Sequence, residues 1–102
     1  MPKAWRIHRN AFYEIRKFYR NVATKYGHTY SINNLLSDII KAERGIFKIE
    51  NGLLRRKPTI AKWIGFHMAT LKINNKAQWN YAYLIEDEIV YIYDACHSQN
   101  HR

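Results

Sequence analysis

From Phe12 onward, apolar side chains recur three or four residues apart, at Phe12, Ile15, Phe18, Tyr19, Val22 and Tyr26. That period lays them along one stripe of a helix, while Arg9, Arg16, Lys17 and Arg20 gather towards another side. Gly27 is placed to end the helix. Ser31 then offers an N-cap to a second helix, in which Ile32, Leu35, Leu36, Ile39 and Ile40 repeat at i, i+3, i+4, i+7 and i+8 before Gly45. Two consecutive amphipathic helices are expected.

The rest of the chain has a period nearer two. Ala4 to Asn10 alternates loosely between bulky and basic side chains, as a short edge strand does when one of its faces is buried. Residues 46–60 are mixed. Asn51-Gly52 is a turn signal and Arg55-Arg56-Lys57-Pro58 is a basic run stopped by proline, which predicts a loop. Lys62 to Leu71, Gln78 to Ile85 and Ile89 to Ala95 are rich in β-formers. The polar turns between them, Asn74-Asn75-Lys76 and Glu86-Asp87-Glu88, are so short that the strands must be antiparallel neighbours. The order strand, two helices, three-strand antiparallel meander predicts an α+β fold with both helices on one face of a twisted sheet. A chain of 102 residues supports one modest core, so residues 1–102 are expected to form a single domain.

Charge narrows the function. The chain carries 17 Lys and Arg against 8 Asp and Glu, a net +9 with a sequence pI near 9.9. Such a surplus concentrates polyanions at the surface and speeds encounter with them. It is uneven, because residues 1–76 hold sixteen of the basic residues and four of the acids. The N-terminus lacks the apolar stretch of a signal peptide and no run of eighteen apolar residues occurs, so a cytoplasmic location away from membranes is expected. A lone cysteine, Cys96, rules out a Cys-rich zinc module. The five histidines have no metal-ligand spacing and there is no glycine-rich phosphate loop, so neither metal nor cofactor is expected.

The closing segment, Tyr83-Leu84-Ile85-Glu86-Asp87-Glu88-Ile89-Val90-Tyr91-Ile92-Tyr93-Asp94-Ala95-Cys96-His97-Ser98-Gln99-Asn100, resembles the final hairpin of the RelE/ParE toxin superfamily. That hairpin has a tyrosine-bearing strand, an acidic turn, a Val-Tyr-Ile strand, then a small residue followed by His. The element order resembles the family over nearly the whole chain, and the motif covers the last quarter. Two departures stand out. Asn80 occupies the place where many relatives carry an arginine, and Ser98 and Gln99 follow the histidine where relatives often continue with arginines. They leave open the family branch that poisons gyrase.

The resemblance implies the toxin of a bacterial toxin–antitoxin pair that cuts messenger RNA on the ribosome without a metal. Its partners would be messenger RNA, the ribosome, and an antitoxin with an acidic or hydrophobic segment. Attack of a ribose 2′-hydroxyl on the adjacent phosphate needs a proton acceptor, a cation for the charge gathering on phosphorus, and a donor to the leaving 5′-oxygen. His97 is the expected acid or base, with Gln99 and His101 behind it on the terminus. Lys62 and Lys72, with Arg55, Arg56 and Lys57, are expected to meet phosphate. Tyr81 and Tyr83, and Tyr91 and Tyr93, pair on single faces of their strands. A three-residue turn would set the two pairs side by side with Trp79 and His97, whereas a two-residue turn would send them to opposite faces. Exposed tyrosines there would stack unpaired bases, and buried ones would pack beneath the helices. A non-catalytic nucleic-acid-binding module is the alternative from another class.

Overall fold

The computed structural model describes residues 4–26, 31–49, 55–56, 61–74 and 77–98. The helical periodicity is realised as α1 (Arg9–Tyr26) and α2 (Ile32–Gly45). Ser31 caps α2 as its position suggested. Its side-chain oxygen accepts the backbone N–H of Asn34 at 3.1 Å, satisfying one of the donors that a helix start leaves without an intrahelical partner. Gly27, the Asn51-Gly52 turn, Lys57, Gln99 and His101 lie outside the described residues.

The strands are β1 (Ala4–Ile7), β2 (Arg55–Arg56), β3 (His67–Asn74), β4 (Ala77–Glu86) and β5 (Ile89–His97). They form one mixed sheet in the order β1-β5-β4-β3-β2. The expected antiparallel meander is its centre, β3-β4-β5. Two edges extend it. The edge strand β1 runs parallel to β5, with Trp5 opposite Val90 and Ile7 opposite Ile92. On the far edge Arg55 and Arg56, read from sequence as loop, pair with Ala69 and Met68 of β3. Strand β3 starts later than the expected Lys62, because Ala61–Trp63 forms a 3-10 turn and Gly65, at φ +97°, turns the chain before Phe66.

Both helices cover one face. Ala11, Ile15 and Tyr19 of α1 and Leu35 and Ala42 of α2 share a core with Ala69, Trp79, Tyr81, Tyr83, Val90 and Ile92 of the sheet. Two polar atoms carried into this core are paired: the Tyr81 hydroxyl donates to the Ala42 carbonyl at 2.6 Å and Trp79 Nε1 donates to the Tyr19 hydroxyl at 3.1 Å. Gly45 lets α2 come down on the sheet, since a Cβ there would lie 3.0 Å from Leu71 Cδ1. Arg16 of α1 and Glu43 of α2 join the helices through an ion pair at 2.9 Å.

A register shift in β5 sorts its side chains. Ala82 pairs with Asp94 and Tyr83 with Ile92, so Tyr93 is an extra residue, a β-bulge. Before it Val90 and Ile92 point to the helices; after it Ala95 and His97 do. Tyr91, Asp94 and Cys96 consequently face away. A smaller cluster of Trp63, Met68 and Ala82, flanked by Phe66 and Cys96, covers part of that second face.

Candidate nucleic-acid interface

The turn between β4 and β5 has two residues, Asp87 and Glu88, both with positive φ, and Glu86 pairs directly with Ile89. That turn sends the tyrosine pairs to opposite faces of the sheet. Tyr81 and Tyr83 are buried beneath the helices, whereas Tyr91 is half-buried and Tyr93 is 40% exposed on the other side. Tyr93 leans on Phe66, ring centroids 4.8 Å apart.

Beside these tyrosines runs β1. Arg6 lies opposite Tyr91 in register, and the ladder continues past the strand where His8 N–H donates to the Ile92 carbonyl at 2.8 Å. Trp5, Arg6, Ile7 and His8 with Tyr91, Ile92 and Tyr93 line a cleft of about 470 Å³. Arg6 and His8 are exposed. His8 Nδ1 accepts the backbone N–H of Asn10 at 3.1 Å, so the neutral ring carries its proton on Nε2.

Next to Tyr93 in the chain, outside the cleft lining, lies Asp94. Its buried carboxylate accepts Trp63 Nε1 at 2.8 Å, Asn10 Nδ2 at 2.9 Å and the Ala95 N–H at 2.9 Å, and Lys62 Nζ lies 3.4 Å away. This network anchors one end of the Lys62 side chain's reach while leaving the side chain itself 62% exposed. Cys96, nearby, has its thiol pushed up by burial, against a weaker pull from Lys62, which keeps the sulfur protonated and a poor nucleophile at neutral pH.

The residues expected to act together are distributed differently. His97 ends β5 and is only 4% exposed; its ring stacks on Phe18 of α1, centroids 4.1 Å apart and 9° from parallel, and meets the Trp79 ring edge-on. Burial lowers its pKa, partly offset by Asp38. Lys62 lies away from that face, beside Asp94. Lys72 is exposed opposite Gln78, and Tyr91 is opposite Leu84. Six β4 positions separate those rows, about 20 Å along the strand at about 3.3 Å per residue. Thus the sheet separates His97 from Lys62, and distance separates Lys72 from the tyrosines. Arg55 and Arg56 sit on the opposite sheet edge from Arg6. Arg6, His8 and Asp94 were not singled out from sequence, because a parallel β1–β5 pairing leaves no local signal.

Among the described residues no group of three metal-ligating side chains gathers, and no helix is long and apolar enough to cross a membrane. Fold and site together define a basic α+β protein with a helical layer on one sheet face and a cationic, tyrosine-lined cleft on the other. No protein-family model, curated protein or solved structure matches the chain.

Proposed function

We propose that the chain is a toxin of the RelE/ParE type that holds messenger RNA at the β1–β5 cleft and cuts it on the ribosome, with an antitoxin as its protein partner. The observation that carries this reading is the convergence of Arg6, His8, Tyr91 and Tyr93 on one cleft of the sheet face away from the helices. Tyrosines set on a basic surface suit unpaired RNA, whose bases stack on rings while cations follow the phosphates.

In this reading Arg6 meets the phosphate and Lys62, set by Asp94, meets its neighbour. The 2′-oxygen bonds to phosphorus as the bond to O5′ breaks, leaving a cyclic phosphate and a 5′-hydroxyl. Water takes the proton of the 2′-hydroxyl, and the imidazolium form of His8 passes a proton to the departing O5′, which leaves the ring neutral. His97, neutral under α1, serves the fold.

A second reading, a non-catalytic RNA-binding module, is favoured by one observation: His97 lies across the sheet from Lys62. Expression of the wild type, His8→Ala and Tyr93→Ala in growing bacteria, with message ends and gyrase-dependent DNA breaks mapped side by side, separates the readings. Codon-phased cuts lost in His8→Ala support the nuclease. Breaks in DNA with intact messages move the protein to the gyrase branch, and RNA binding without cuts leaves the module.

A further inference from the structure

Helix α2 buries Leu35, Ala42 and Gly45 against the sheet, yet it also carries a second apolar row that nothing in the described fold covers. Ile32 is 72% exposed, Leu36 54% and Ile40 47%, at i, i+4 and i+8 on a single helical ridge. Ordinary amphipathic surface helices put polar residues there. Depressions flank the ridge on both sides. Towards β3 lies a groove of about 700 Å³, floored by Leu36, Ile40, Leu71 and Ile73. Towards α1 lies one of about 300 Å³, where Leu36 and Ile39 meet Tyr19 and Ala23.

The charged residues lining the larger groove are all cationic, Lys41, Arg44, Lys48 and Lys72, beside the neutral Asn33 and Ser37, with no carboxylate among the described lining residues. The smaller one adds Arg20, and Arg16, which is paired with Glu43. An apolar floor is a poor seat for phosphates, which favours a protein over a nucleic acid at this place. A second copy is disfavoured, since two such surfaces face to face would press these cations together. The concavity on either side of the ridge fits a rod more closely than a flat lipid surface.

We propose that the α2 ridge and the groove beside β3 dock an amphipathic helix of a partner protein, with apolar anchors at i and i+4 and acidic residues on both flanks. The inference deepens the reading of a toxin restrained by a protein partner, giving that partner a surface and a chemistry. Its floor is built from helix-side residues, whereas the RNA cleft lies on the opposite sheet face, so the two can be occupied and tested separately.

The probe is a synthetic helical peptide with Leu at i, i+4 and i+8 flanked by glutamates, alongside a scrambled peptide of the same composition and an anionic phospholipid vesicle. Fluorescence anisotropy with the intact protein is expected to show binding of the patterned peptide about tenfold or more tighter than the scramble. Leu36→Glu and Ile40→Glu, both at exposed positions, are each expected to weaken it about tenfold, and Lys41→Glu/Arg44→Glu to weaken it while reducing its salt dependence. Equal binding of patterned and scrambled peptides, insensitivity to Leu36→Glu, or preference for vesicles over peptide would overturn the proposal. RNA binding by the Leu36→Glu protein, measured in parallel and expected to match the wild type, keeps the tests apart. Loss of RNA binding in Tyr91→Ala with peptide binding intact concerns the cleft alone, and peptide binding lost with RNA binding intact concerns the groove alone.

Discussion

His97 lies between α1 and the sheet, and its surroundings make its protonation a matter of stability. Phe18 and Trp79 enclose the ring, Tyr19 contributes a hydroxyl that burial pushes up to about 12, and among the described residues Asp38 of α2 is the charged group that acts to favour the imidazolium. Desolvation prevails, so the folded ring gives up its proton below the ordinary value of 6.5. Below pH 6.5 the unfolded chain binds a proton that the folded one resists, and folding stability falls as pH drops through that window towards the lowered folded value. Urea unfolding at pH 7.5 and 5.5 is expected to show a larger loss for the wild type than for His97→Phe, which keeps the stack and removes the titration. At Asp94, Trp63→Phe removes a 2.8 Å bond to a buried carboxylate and is expected to cost about 2 kcal/mol of stability in the same assay.

Individual elements owe their boundaries to a few residues. The Asp87-Glu88 turn holds two non-glycine residues at φ 52° and 66°, a conformation that costs L-residues about 1–2 kcal/mol each. Asn-Gly suits such a turn better, so Asp87→Asn/Glu88→Gly is expected to raise stability by about 1 kcal/mol, read as a higher urea midpoint with unchanged slope. Ser31→Ala removes the cap of α2 and is expected to lower stability by about 1 kcal/mol. The bulge at Tyr93 has the widest consequence. It lets a strand whose tyrosines alternate at odd positions place Val90 and Ile92, then Ala95 and His97, on the same buried face.

For the whole molecule the relevant quantity is where the +9 charge lies. Arg6 lines the tyrosine cleft, Arg9 a neighbouring depression beside His8, and Lys62 pairs with Asp94, while Lys41, Arg44, Lys48 and Lys72 line the α2 groove. If single-stranded RNA lies in the cleft across about four phosphates, log K is expected to fall against log salt with a slope of about −3, and Arg6→Ala to reduce that slope by about 0.7. Tyr93→Ala is expected to weaken binding by about 1–3 kcal/mol with the slope unchanged, because stacking releases no counterions. Anisotropy titrations between about 50 and 200 mM salt distinguish these contributions.

Both helices, the cap at Ser31, the edge position of β1, and the β3-β4-β5 meander were legible in the residues, since each follows from local periodicity or from a turn too short for any other pairing. The short strand at Arg55–Arg56 was not, because two residues carry no period. Nor was the place of His97. Counting by twos along a regular strand puts it with Tyr91 and Tyr93, and only the pairing of β5 with β4 inserts the extra residue that reverses the alternation. The cleft itself was decided by tertiary structure: Arg6 and His8 are more than eighty residues from Tyr91 and Tyr93 in sequence, and a parallel pairing across that span has no nearest-neighbour signature for the chain to display.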